Sequence, residues 1–198
     1  MEELNQSLFL LINASAQPSA LLLNSAMLFA EWLIFLIPAG LLLGWFRGGE
    51  QTRKLMLEAV VCGVVGLSIS ALLGVLWQHP RPFMIDLGTN FLAHSPDSSF
   101  PSDHLTLQWS VAFSLLLHPQ LRKAGAILSL LGLPMAWARI YLGVHFPLDM
   151  LGAAIVAALS AGLCLYSAKW FIGPLFKSAS FIHGRLFAPF IRRGWMLK

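Results

Sequence analysis

Residues 55–77 read LMLEAVVCGVVGLSISALLGVLW, an apolar run longer than the ~20 residues a helix needs to cross a hydrocarbon core. Similar runs lie on either side: 21–46 before it, and 105–117, 124–142 and 148–172 after it. With 57% hydrophobic and 11% charged residues in a chain of 198, and a mean hydropathy of +0.72, the apolar surface exceeds what the chain can hide within itself. The expected fold is an all-α polytopic membrane bundle of about five transmembrane helices. The third run is short, so its ends lie at or below the lipid surface and His104 stands at headgroup depth. Run 21–46 lacks a basic flank before it and a small-residue cleavage site after it, and reads as a span that stays. No composition shift, repeat or Gly/Ser linker marks a second domain, so residues 1–198 are expected to form one.

Positive charge orients the bundle. Eleven of the thirteen Lys and Arg residues follow the first run, separate the third from the fourth, or end the chain. Lys and Arg favour cytoplasmic loops, which places the amino terminus outside. The two that remain, Arg81 and Arg139, fall on the opposite side with His104, His145 and Asp149. In the 1–19 segment, Leu4, Leu8, Leu11 and Ile12 recur at helical spacing, as in an interfacial helix or a frayed terminus in contact with lipid. The 173–198 tail mixes Phe176, Phe181, Phe187, Phe190 and Trp195 with basic residues. That composition suits a helix on an anionic cytoplasmic leaflet, the alternative being recruitment of another protein. Cys62 and Cys164 lie inside spans as small packing residues and suggest neither a disulfide nor a metal site.

Three polar clusters remain: Arg81-Pro82, Pro101-Ser102-Asp103-His104, and Arg139 with His145 and Asp149. Ionisable groups at a membrane edge are functional candidates. Arg81 and Arg139 offer guanidinium forks for a phosphate. Ser102, at the expected start of the third helix, offers a hydroxyl and neighbouring amides with the helix dipole behind them. Pro147 can open the fifth helix, which sets His145 just before it and Asp149 one turn on, within reach of a ring N–H. A carboxylate there fixes the tautomer and leaves the other nitrogen free to attack phosphorus, with His104 as general acid.

These residues resemble the signatures of the type 2 phosphatidic acid phosphatase superfamily, Lys-x6-Arg-Pro, Pro-Ser-Gly-His and Ser-Arg-x5-His-x3-Asp. The third spacing is met in full by Arg139, His145 and Asp149. The resemblance implies a PAP2/haloperoxidase-like helical core and a phosphohistidine at His145 oriented by Asp149. It further implies His104 as general acid, Arg81, Ser102 and Arg139 on the phosphate, and neither metal nor other cofactor. Gly74 stands where the family has lysine; either His79 or Gln78 donates instead, or the site works with a weaker grip because a diphosphate offers more oxygens to hold. Asp103 replaces glycine among the phosphate-binding residues, where it either caps the helix or pairs with an arginine. Ala138 replaces serine.

The size, the Pro-Ser-Asp-His form and the stretch Asn5-Gln6-Ser7-Leu8-Phe9 through Ile12-Asn13 are most similar to bacterial undecaprenyl diphosphate phosphatases of the bacitracin-resistance type. The function implied is hydrolysis of the terminal phosphate of a polyprenyl diphosphate carrier at the outer face of the bacterial cytoplasmic membrane, recycling it for peptidoglycan synthesis. The expected partners are that lipid and its bilayer, with no nucleic acid. Phosphatidylglycerophosphate or phosphatidate phosphatase and lipid phosphotransferase are alternatives of the same chemistry. A transporter, with Glu31 on an ion path, is the alternative of another class.

Overall fold

The computed structural model describes residues 2–193, so Trp195 and Lys198 of the tail lie outside the described residues. The chain runs α1 (Glu2–Ile12), α2 (Ala20–Glu31), α3 (Leu36–Arg47), α4 (Glu50–Leu76), α5 (Asp103–Leu116), α6 (Arg122–Tyr141), α7 (Pro147–Leu186) and α8 (Ala188–Arg192), with 3-10 turns at Leu33–Phe35 and Pro82–Ile85. No strand occurs among the described residues. Among the described residues, four stretches are long and apolar enough to cross a membrane, with α2 and α3 counted as one; the shorter α5 completes a bundle of five.

Burial is graded in the way lipid demands. Along α7 the small residues Gly152, Ala153, Ala157, Ser160 and Ala161 face the interior, while Leu151, Ile155, Leu159 and Leu163 are more than half exposed. Small residues allow helices to approach closely, and large aliphatic ones lose nothing by facing acyl chains. The centre is α5, packed against α4, α6 and α7. Its 14 residues rise only about 21 Å, and it carries Thr106, Gln108, Ser110 and Ser114, all buried. Such a helix is stable because its neighbours shield it from lipid: Gln108 donates to the Leu128 carbonyl (2.8 Å) and Trp109 Nε1 to that of Ser129 (3.1 Å). Gly66 and Gly132 make the approach possible, since a Cβ on either would collide with Ser110 or Trp109.

Two expected boundaries differ. The first span breaks at Trp32 and the Leu33–Phe35 turn before resuming as α3. Pro38 lies three residues after this turn, and its missing N–H leaves the Ile34 carbonyl without an α-helical donor, so an unbroken helix would lose that bond and clash. Below the break α3 packs on α4, and above it α2 packs on α6. The fifth helix was expected to end near 172 but runs on through Gly173 and Pro174 to Leu186, 40 residues in all. A proline removes one helical bond without ending a helix that has other support. That support is Trp45, whose Nε1 donates to His183 Nδ1 (3.2 Å) and whose ring meets Phe176, together with Phe46 against Phe187. At about 60 Å, α7 exceeds the ~30 Å hydrocarbon core and projects beyond it.

Helix α1 forms, with Leu4 and Leu11 exposed at 61% and 81%. Its inward face is Asn5 and Phe9. Phe9 meets Phe146 edge-on at 5.4 Å, Asn5 Oδ1 accepts from the Leu148 N–H (3.0 Å), and Asn13 binds Thr89 and the Tyr141 carbonyl. The amino terminus therefore braces the loops that carry the polar clusters.

Candidate active site

The end of α4, the start of α5, the end of α6 and the start of α7 converge at one end of the bundle, bringing the three polar clusters together. Between α6 and α7, Gly143 adopts φ +86°, a left-handed conformation that costs glycine little. A Cβ there would strike the Thr89 carbonyl. This turn delivers His145, 1% exposed, to the interior.

Pro147 opens α7, and Asp149 in its first turn accepts from the Phe146 N–H (2.7 Å) through Oδ2. The same oxygen accepts from Ser99 Oγ at 2.5 Å and lies 3.2 Å from His145 Nδ1. Ionised Asp149 only accepts, so Nδ1 carries the proton and Nε2 holds a lone pair. Arg81 Nη1 lies 3.0 Å from Nε2 and 3.4 Å from Nδ1, so this cation stands against the ring and disfavours an imidazolium. His145 is therefore neutral. Burial holds its pKa down at about 4; the Asp149 hydrogen bond works against that, and Arg139 and Arg81 nearby add to the depression.

Arg81, 3% exposed, joins two loops. Nε and Nη2 donate to Asp97 Oδ1 at 2.9 and 2.7 Å, Nη2 to the Ser98 carbonyl at 3.2 Å, and Nη1 to the Val144 carbonyl at 3.0 Å. Arg139 is different. It is 1% exposed in the last turn of α6; Nη1 makes one long bond of 3.3 Å to the Ala30 carbonyl, while Nε and Nη2 are buried without a partner. Ser102 precedes α5 with a fully buried hydroxyl that caps nothing and has no partner. A buried guanidinium carries a large desolvation cost unless an anion meets it. These unmet donors beside a helix N-terminus form a cradle for an oxyanion.

His104, in the first turn of α5, is half-buried and lies in the electrostatic reach of Arg139, His145 and Arg81. Asp103 neither caps α5 nor grips an arginine directly: its Oδ1 accepts from Ser70 Oγ on α4 at 2.6 Å, with Arg139 in electrostatic reach. Gly74 opens on a cavity of about 450 Å³ between the end of α4 and the 96–103 segment, lined also by Gln78, His79, Asp97 and Asp103. His79 Nε2 lies 3.3 Å from Glu2, and its ring packs on Trp77 and Phe146. Gln78 and His79 thus face this cavity. Glu31 is exposed at the end of α2, beside the break. Among the described residues, no three His, Cys, Asp or Glu side chains are grouped to hold a metal ion.

Sequence reasoning missed His94, Asp97 and Ser99. All three belong to the polar stretch after α4, where no periodicity marks a side chain's partner; the one signal was the density of polar residues ahead of Pro101.

Residues 55–172 match the family model of the PAP2 superfamily, and the chain belongs to that superfamily. It is 37% identical over 199 residues to the putative undecaprenyl-diphosphatase YbjG of Escherichia coli strain K12, a match covering 99% of this chain and 98% of the relative. It is 32% identical to the undecaprenyl-diphosphatase BcrC of Bacillus subtilis strain 168, over 79% and 80% of the two chains. The crystal structure of Aquifex aeolicus LpxE aligns with a TM-score of 0.63 at 27% identity, over 82% of this chain and 95% of that one.

Proposed function

We infer that the protein is an undecaprenyl-diphosphate phosphatase, acting at the extracytoplasmic face of the bacterial cytoplasmic membrane through a phosphohistidine on His145. The observation that carries this reading is the pairing of a neutral, Asp149-oriented His145 with a buried Arg139 that has two unused donors. Arg139, Ser102 and the first amides of α5 hold the terminal phosphate, which draws Arg81 from His145 Nε2 onto its own oxygens. Nε2 then attacks phosphorus in line. The bridging P–O bond breaks, its electron pair leaves with the polyprenyl monophosphate, and His104 protonates the departing oxygen. Water attacks the phosphohistidine, His104 takes its proton, the P–N bond breaks, and orthophosphate leaves a neutral imidazole. Asp149 holds Nδ1–H and stabilises the positive ring while phosphate is attached.

The site's location supports the outer face. Arg47, Arg53, Lys54, Arg122 and Lys123 lie at the ends of α3, α4 and α6 opposite to it, and clusters of Lys and Arg mark the cytoplasmic side. Orthophosphate release from undecaprenyl diphosphate by detergent-purified protein in EDTA, with His145→Ala alongside, tests the reading. Release by the parent protein alone is expected; release by neither would overturn it.

A further inference from the structure

The 94–99 segment brings to the site an imidazole that none of the three motifs contains. His94 lies with its ring centroid 6.0 Å from that of His145 and its plane at 77° to it. Its side chain is 22% exposed, against 1% for His145 as a whole, so it stands at the mouth and not on the floor. His94 Nδ1 lies 3.2 Å from the Ser95 carbonyl, which makes Nδ1 the donor and leaves Nε2 uncommitted. Arg81, Arg139 and His104 lie within its electrostatic reach, and the Asp97 carboxylate is 3.9 Å away.

Geometry then decides what meets Nε2. In-line attack by His145 sends the leaving group away from the buried ring, and the more exposed His94 is the imidazole in contact with that ring. In a monoester that group is an alkoxide on an apolar tail. In a diphosphate it is a second phosphate, whose charge needs compensation beyond what Arg81, Arg139 and Ser102 give the first. The family's lysine does not supply it, because Gly74 stands in its place, beside a cavity lined also by Asp97 and Asp103.

We propose that His94 is the subsite for the second, untransferred phosphate of a diphosphate substrate, and that it selects diphosphates over monoesters. The proposal rests on the phosphatase reading above. Burial and the Arg81 guanidinium hold the His94 pKa down; a second phosphate opposite them favours the imidazolium and turns Nε2 into a charged donor.

The test is titration calorimetry of the purified full-length protein in detergent. The probes are methylenediphosphonate, whose P–C–P bridge resists cleavage, and orthophosphate, each with the parent protein, His94→Ala and His94→Gln. The expected result is that His94→Ala weakens methylenediphosphonate binding about tenfold and changes orthophosphate binding by less than about threefold. His94→Gln, which keeps a neutral donor, recovers part of the loss, and it carries the test if the alanine variant aggregates. Parallel weakening of both probes, no change in either variant, or binding of neither probe by the parent protein would overturn the proposal. The turnover assay above is read separately. His94-dependent methylenediphosphonate binding by a protein that releases no phosphate from undecaprenyl diphosphate would keep the diphosphate subsite and remove the lipid assignment.

Discussion

Asp149 orders the site more than its single contact with His145 suggests, because one oxygen collects three groups: the ring nitrogen, the Phe146 amide and Ser99. Asp149→Asn replaces an acceptor with a donor on at least one side and releases the tautomer. It is expected to lower kcat by roughly 10²–10⁴-fold with KM little changed. Ser99→Ala leaves two of the three groups and is expected to lower kcat about tenfold, its Nδ1 partner intact. Steady-state kinetics of the two variants check both.

Acid has a defined sign. His145 in the folded protein takes its proton near pH 4, whereas in the unfolded chain it does so near 6.5. Across that window the unfolded state binds the extra proton, so stability present above about 6.5 is lost as pH falls towards 4. Thermal denaturation at pH 7 and 4.5 is expected to show a smaller pH-dependent drop in Tm for His145→Gln than for the parent protein. The His145–Asp149 pairing was legible in the sequence because Pro147 fixes the helix start and both residues are local to it. Ser99 was not, since it lies 50 residues from Asp149 and only the folded chain brings them together.

At the scale of elements, the bundle depends on α5 being surrounded. Gly66 meets Ser110 and Thr106 so closely that a larger side chain must push α4 from α5. Gly66→Val is expected to cost about 1–3 kcal/mol, seen as a lower Tm in detergent. Four of the five bundle helices were legible from run length, and the third run was read as short enough to end at or below the lipid surface; its central place was not read. The break between α2 and α3 was not read, because the apolar run continues across it; Pro38 was its signal. The continuation of α7 through Gly173-Pro174 was not legible, because what sustains it is contact with Trp45 and Phe46 on a distant helix.

For the whole molecule, the polar site and the basic ends of α3, α4 and α6 lie at opposite ends of the bundle, and the proposed orientation puts the polar end outside. Both cysteines are buried, at 0% and 1% exposure, so they provide a silent background for labelling. A membrane-impermeant maleimide added to intact cells is expected to label Ser95→Cys, and to label Lys123→Cys only after permeabilisation. The reverse pattern would invert the topology and remove the substrate's access to the site.

The central claim is a covalent bond between phosphorus and His145 Nε2, and rapid-quench trapping tests it most directly. Undecaprenyl diphosphate carrying ³²P in its terminal phosphate is mixed with the protein, denatured in alkali, where phosphohistidine survives, and mapped by mass spectrometry. The account predicts label on His145 in the parent protein and none in His145→Ala. Full phosphate release with no labelled histidine at any quench time, or label on another residue, would contradict it.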